Sequence, residues 1–141
     1  MPSKGSARWE GDLKSGRGQF TAGSDITGNY SFKSRFEDGE GANPEQLIGA
    51  ALAACFSMAL SNALAEAGTP VDSVDTEAVV TLRNVDGAPT ITKIALTTVG
   101  QVPGLDDGAF AVAAQDAKEN CIVSRALAGV PEITLDASLG G

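Results

Sequence analysis

Two cysteines, Cys55 and Cys121, are the strongest nucleophiles in this sequence, and they stand 66 residues apart. That separation is not C-x-x-C, so it makes neither a thioredoxin-type redox motif nor a metal clip. Histidine is absent from the 141 residues. A Ser-His-Asp triad, a papain-like Cys-His pair and an H-E-x-x-H zinc site are therefore excluded. Two cysteines without histidine also fall short of a structural zinc site of the four-cysteine or mixed type. Any chemistry must draw on thiol, carboxylate, guanidinium, ammonium or hydroxyl groups.

A thiol attacks as its thiolate. In the middle of a helix, where Cys55 is expected, the helix dipole offers little help, because its effect fades within the first turn. Burial opposes the charged form. A cation must then favour it, and without histidine that cation is Arg or Lys. Between Met1 and Gly68 the candidates are Lys4, Arg8, Lys14, Arg17, Lys33 and Arg35. Arg35 stands out, just before the loop that leads to the cysteine helix. The segment Tyr30–Phe36 reads as a strand with Tyr30, Phe32 and Phe36 on one face, which puts Arg35 beside Lys33 on the other. Two readings stand for each of these residues. Arg35 lies against the cysteine helix or is a solvated strand charge. Cys55 and Cys121 are reactive thiols or small buried hydrophobes, since free cysteine is among the most buried residue types.

The elements that must position these groups begin with strands over Ala7–Leu13, Gln19–Ala22 and Tyr30–Phe36, with a turn at Gly16–Gly18. After a polar loop, Glu37–Ala42, Asn43 is a good N-cap, Pro44 suits the first helical position and Gln46 completes a capping box. The helix should run from Pro44 to Ala67, about 36 Å at ~1.5 Å per residue, until Gly68 and Pro70 stop it. No residue from Gln46 to Ala65 is charged. Such a length could cross a bilayer, but seven alanines between Leu47 and Ala65, with Ser57, Ser61 and Asn62 among them, favour a central helix buried on nearly all sides. Strands follow over Thr76–Leu82 and Thr90–Leu96 around a turn at Asp86–Pro89. A second helix begins after Asp106-Asp107, whose carboxylates cap it, and ends near Asn120. A short helix over Val123–Leu127 and a strand over Ile133–Ala137 complete the pattern. Strands come in runs and do not alternate with helices, so the fold class is α+β. Gly16-Arg17-Gly18 and Gly39-Glu40-Gly41 lack the strand-turn-helix setting of a dinucleotide site and read as turns.

The whole chain, 1–141, is expected to form one domain. An apolar fraction of 43% with only 5% aromatics implies an aliphatic, Ala-rich core. Ten basic and 18 acidic residues give a net charge of −8. That balance argues against a nucleic-acid partner. Met1–Ser6 carries no apolar run of a secretory signal, which makes a cytoplasmic location the expectation. There thiols stay reduced, and a cysteine pair is catalytic or redox-sensing more often than structural.

The run from Asn43 to Leu60, NPEQLIGAALAACFSMAL, closely resembles the signature helix of the OsmC/Ohr family of thiol peroxidases. Cys121-Ile122-Val123-Ser124 resembles that family's second cysteine segment. Gly5–Asp12, Phe32–Glu37 and Glu132–Asp136 look like its OsmC branch, so the resemblance spans nearly the whole chain. It implies strands at both ends around a long buried Cys-bearing helix, in an intertwined homodimer with active sites at its interface. It implies reduction of organic hydroperoxides to alcohols, with weaker activity on hydrogen peroxide. Cys55 matches the peroxidatic cysteine and Cys121 the resolving one. Arg35 matches the arginine that activates the thiolate, and Glu45 the glutamate that holds that arginine. No cofactor and no metal are implied; a dithiol or lipoyl-type reductant recycles the disulfide, and no membrane partner is expected. Alternative readings within the same fold are a low-turnover thiol redox sensor, a small-molecule binding module, or a structural dimer with inert cysteines.

Three local expectations follow. Ile122 stands where the family often has proline, a change that could loosen or reorient the turn after Cys121. Phe56 and Met58 are candidates to shape the peroxide's access route, although such side chains are commonly plain core. Glu45 and Cys55 are ten residues apart on one helix, about 15 Å along the axis and roughly 80° around it. An arginine bridging both therefore needs a Glu45 and a Cys55 from different helices. Antiparallel packing of two such helices across a two-fold axis, through small residues such as Gly49, Ala50, Ala53 and Ala54, would supply them.

Overall fold

The computed structural model describes residues 1–140, and the chain divides into two compact units, one from Met1 to Leu47 and one from Ile48 onward. The first unit is an antiparallel meander of β1 (Gly5–Glu10), β2 (Arg17–Ala22) and β3 (Ile26–Tyr30), in that order. The turn between β1 and β2 lies over residues 11–16, earlier than the expected Gly16–Gly18. There the Asp12 carboxylate accepts hydrogen bonds from the Ser15 hydroxyl at 2.6 Å and its N–H at 2.7 Å, which hold the carboxyl below its ordinary range. Register places Gly18 between Trp9 and Tyr30 across the sheet. A Cβ on Gly18 would lie 2.5 Å from the Tyr30 ring and 2.7 Å from the Trp9 ring. Glycine thus lets the two rings close to 5.5 Å between centroids. Despite these aromatics, no apolar side chain of residues 1–47 is buried in the single chain.

The expected strand over Tyr30–Phe36 is corrected. β3 ends at Tyr30, and Phe32–Phe36 forms a short helix, α1. Its cause is a capping box: the Ser34 N–H donates to Ser31 Oγ at 3.1 Å and the Ser31 N–H donates to Ser34 Oγ at 2.7 Å. Phe32 and Phe36 satisfy the four-residue helical spacing as well as a spacing of two, and their tilted rings lie 5.0 Å apart between centroids. The serines decide between the two patterns.

Helix α2 (Pro44–Glu66) starts where the capping signals place it. The Gln46 N–H donates to Asn43 Oδ1 at 2.8 Å, and the Asn43 N–H donates to Gln46 Oε1 at 3.1 Å. At its end Gly68 adopts φ 92°, with Thr69 N–H bonded to the Leu64 carbonyl at 2.9 Å and Gly68 N–H to that of Ala65 at 3.1 Å. This is a Schellman closure. Replacing Asn43 with Ala should cost about 1 kcal/mol of stability; equilibrium urea unfolding of the two proteins measures it.

In the second unit, β4 (Ser73–Val85) and β5 (Ala88–Gln101) form a long hairpin closed by Asp86 and Gly87, both at positive φ (52° and 85°). Two such residues make a type I′ turn, whose twist matches that of the strands. The chain then crosses through α3 (Asp107–Asn120) and α4 (Ile122–Ala126) to β6 (Glu132–Leu139), which pairs parallel to β5. Both units mix strands and helices in runs, as the α+β reading requires. The core lies on one face of the β4–β5–β6 sheet. Leu52, Phe56, Leu60 and Leu64, four apart on α2, bury one stripe among Ile94, Leu96, Phe110 and Ala114. Within it Ser57 Oγ donates to Thr76 Oγ1 at 2.7 Å, and Thr76 and Thr98 share a hydroxyl hydrogen bond at 2.9 Å.

The expectation that α2 is buried on nearly all sides fails in the single chain. One sheet face covers one helical stripe, and Ala50, Ala51, Ala54, Met58, Asn62 and Ala65 remain open, with Met58 75% exposed. Among the described residues α2 is the one helix long and apolar enough to cross a membrane by length and composition. Its Leu52–Leu64 stripe is spent on the sheet. Gly49 also faces inward: a Cβ there would stand 3.1 Å from the Ala78 carbonyl of β4.

Candidate active site

Arg35 and Glu45 meet in the first unit. Arg35 Nε donates to Glu45 Oε1 at 2.7 Å and Nη2 to Oε2 at 3.1 Å, a two-pronged pair. Glu45 is 7% exposed. Helix α1 projects the guanidinium towards the first turn of α2, and Asn43 Nδ2 ties the two helices together by donating to the Ser34 carbonyl at 2.9 Å. Arg35 is therefore carried on a helix and not, as expected, on the far face of a strand. Its guanidinium carbon lies 5.4 Å from the centroid of the Phe36 ring, close enough for a cation–π contact. Trp9, Leu13, Tyr30, Ser31, Phe32 and Phe36 join Arg35 around a cleft of about 230 Å³. The cleft offers aromatic walls with one fixed positive charge.

Both thiols border one helical turn of the second unit, and neither is in a disulfide. Cys55 is half-buried on α2, and its sulfur accepts the Val123 N–H at 3.5 Å. Cys121 is 3% exposed and joins two helices. Its N–H donates to the Ala117 carbonyl at 3.0 Å, closing α3. Its sulfur accepts the Ser124 N–H at 3.3 Å, opening α4, while its S–H donates to Ser124 Oγ at 3.0 Å. The first N–H groups of a helix lack partners within it. Here two consecutive ones, from Val123 and Ser124, are each taken by one of the two sulfurs.

Ile122 follows Cys121 as the first residue of α4. It occupies the first helical position, where a missing N–H would cost nothing and proline is merely pre-organised. Ile122 stands within the helix there, and its side chain is 77% exposed. Of the two candidates for an access route, Phe56 is fully buried in the core and Met58 is open. Ser124 was not singled out by the sequence reading. The signal for it was present as a cysteine three residues before a serine, the spacing of an N-cap and its third helical residue.

A family model for OsmC-like proteins matches residues 37–136. The chain belongs to the OsmC-like family. This OsmC-like chain is 51% identical over 138 residues to Peroxiredoxin OsmC of Escherichia coli (strain K12), covering 96% of this chain and 95% of that protein. Among solved structures it resembles the organic hydroperoxide resistance protein OhrB of Bacillus subtilis, at 26% identity and a TM-score of 0.75, covering 99% of this chain and 98% of the other. It also shares the fold of an organic hydroperoxide resistance protein OsmC from Legionella pneumophila, at 22% identity and a TM-score of 0.73, covering 98% and 97%.

Proposed function

We propose that this protein is a two-thiol hydroperoxide reductase that converts organic hydroperoxides to alcohols, with weaker activity on hydrogen peroxide. The observation that carries the reading is that Cys55 and Cys121, 66 residues apart in sequence, hang from consecutive amides of one helical turn. In the proposed cycle the Cys55 thiolate attacks one peroxide oxygen, the O–O bond breaks and the alkoxide leaves, protonated, as alcohol. Cys55 is left as a sulfenic acid. Cys121 attacks that sulfur, forming the disulfide and releasing water. An external dithiol, of lipoyl type, reduces the disulfide by exchange. No metal or organic cofactor takes part.

Arg35 stabilises the Cys55 thiolate and the charge developing on the leaving oxygen, and Glu45 holds it in place. The aromatic cleft beside Arg35 suits an apolar tail, which hydrogen peroxide lacks. The site assembles in a homodimer, with Arg35 and Glu45 of one subunit serving Cys55 of the other. Two features support this arrangement: the open apolar face of α2, and an N-terminal unit that buries no apolar side chain in the single chain. The whole chain thus works as one OsmC-like domain, in the cytoplasm, where dithiol reductants are at hand.

Titrating free thiols before and after one equivalent of tert-butyl hydroperoxide tests the cycle. Both thiols per chain should disappear and return on adding dihydrolipoamide; unchanged thiols would refute it. The Cys121→Ala protein should consume one equivalent only and keep Cys55 as a sulfenic acid that dimedone traps. Repeated turnover with reductant separates an enzyme from a redox sensor of the same fold.

A further inference from the structure

The serine at 124 is used differently from its counterpart at 34. Both stand at the third position of a short helix. Ser34 completes a capping box by accepting the N–H of its N-cap residue, Ser31. At the start of α4 that option is closed, because the Cys121 N–H already donates to Ala117 at the end of α3. The Ser124 hydroxyl turns to the thiol instead. It accepts the Cys121 S–H at 3.0 Å, while the Ser124 N–H donates to the same sulfur at 3.3 Å. Among the described residues the hydroxyl has no other hydrogen-bond partner. Ser124 is 7% exposed and Cys121 3%, so bulk water does not compete freely for these groups.

We propose that Ser124 is a further residue of the resolving step, holding and activating Cys121 for attack on the oxidised Cys55. The proposal rests on the assignment of Cys55 and Cys121 as the reacting pair. In the reduced protein the S–H proton points at Ser124 Oγ, which leaves the sulfur lone pairs free for another direction. Cys55 is the neighbour that shares the same helical turn, through the Val123 N–H. When Cys121 attacks, its sulfur bonds to that of Cys55, the S–O bond of the sulfenic acid breaks, and the thiol proton leaves with the hydroxide as water. As the thiol proton leaves, negative charge appears on Cys121 until the S–S bond takes it up, and the Ser124 hydroxyl rotates from acceptor to donor. The sulfur then receives two hydrogen bonds from one residue, O–H and N–H, and such bonds to charged groups are the stronger kind. Serine itself is neither oxidised nor deprotonated. The amide half is fixed by the backbone, so the hydroxyl is the part that a side-chain change removes.

The two steps can be timed separately by rapid quench of the full-length protein, with alkylation and dimedone trapping read by mass spectrometry. Ser124→Ala should oxidise Cys55 at the native rate and close the disulfide about tenfold more slowly, the loss expected for one hydrogen bond to a charged sulfur. Cys55 sulfinic acid should then appear at a correspondingly lower excess of tert-butyl hydroperoxide. Ser124→Thr keeps the hydroxyl and should restore fast closure. Closure at the native rate in Ser124→Ala would overturn the proposal. So would an equal slowing of both steps that Ser124→Thr fails to repair, because that marks a merely structural role. A parallel arm uses diamide, which oxidises a thiol pair without peroxide: Cys55 adds to it and Cys121 displaces the adduct. Should native protein react with diamide and leave the hydroperoxide untouched, the peroxidase reading falls, and the diamide closure rates of native and Ser124→Ala protein decide the role of Ser124 alone.

Discussion

Cys55→Ser should abolish hydroperoxide reduction while leaving the fold in place. Serine keeps the size and the hydrogen-bonding capacity at the Val123 N–H. Its hydroxyl, however, is far less acidic than a thiol and does not form the soft, nucleophilic anion that opens an O–O bond. Cys121 cannot take over. It is buried, its S–H is held by Ser124, and its sulfur caps α4. Peroxide consumption, followed by the residual hydroperoxide, should drop below detection in the Cys55→Ser protein. A circular dichroism spectrum and a urea midpoint close to those of the native protein would show that chemistry and not folding was lost. Retained turnover would move the peroxidatic role to Cys121 and sink the assignment.

Arg35→Ala should reduce kcat/KM for tert-butyl hydroperoxide by about 10²–10³-fold, the usual cost of removing one preorganised electrostatic group from a reacting centre. Among the described residues the guanidinium is the only cation lining the aromatic cleft. Its two-pronged bond to Glu45 fixes it in plane, so Arg35→Lys keeps the charge but loses the fork and should recover only part of the rate. The substitution has a structural side effect that must be separated. Glu45 is nearly buried, and deleting its partner leaves a carboxylate without its counter-charge. Such a broken pair destabilises a fold more than removal of both partners does. Arg35→Met combined with Glu45→Gln should therefore regain stability without regaining activity, which thermal melts and steady-state rates resolve.

The same substitution tests the shared site. In the proposed homodimer, mixing Arg35→Ala and Cys55→Ser chains would give dimers with one intact Arg35 and one intact Cys55, on different subunits. If the site is built across subunits, refolding the two inactive proteins together restores activity. If each chain supplies both residues of its own site, the mixture stays inactive.

How much of this was legible beforehand differs by element. Three signals that act over a few residues were read correctly. Asn43 and Gln46 placed the start of α2, Asp106 placed α3, and Asp86-Gly87 closed the β4–β5 hairpin. Their physics is local: a side chain satisfies a neighbouring N–H, or a glycine supplies a positive φ. The segment Phe32–Phe36 was misread because its aromatics fit two periods, and the tie was broken by two serine hydroxyls that hydropathy patterns ignore. Helix α2 was misread for the opposite reason. An apolar sequence all around says that every face needs covering, but not which faces the chain covers itself.

The site divides along the same line. Composition alone deleted every histidine-based mechanism and left a thiol that needs a guanidinium or ammonium nearby. Together with family resemblance it named Cys55, Cys121, Arg35 and Glu45. Tertiary structure decided what composition could not: that one helical turn, residues 122–124, would present consecutive amides to two sulfurs 66 residues apart. It also placed Ser124 on Cys121, buried Phe56 in the core, and put Ile122 with an exposed side chain at the first turn of α4. Residue types set which charges and nucleophiles exist. Which donor reaches which sulfur depends on backbone directions fixed only when helices pack, and no spacing along the chain encodes them.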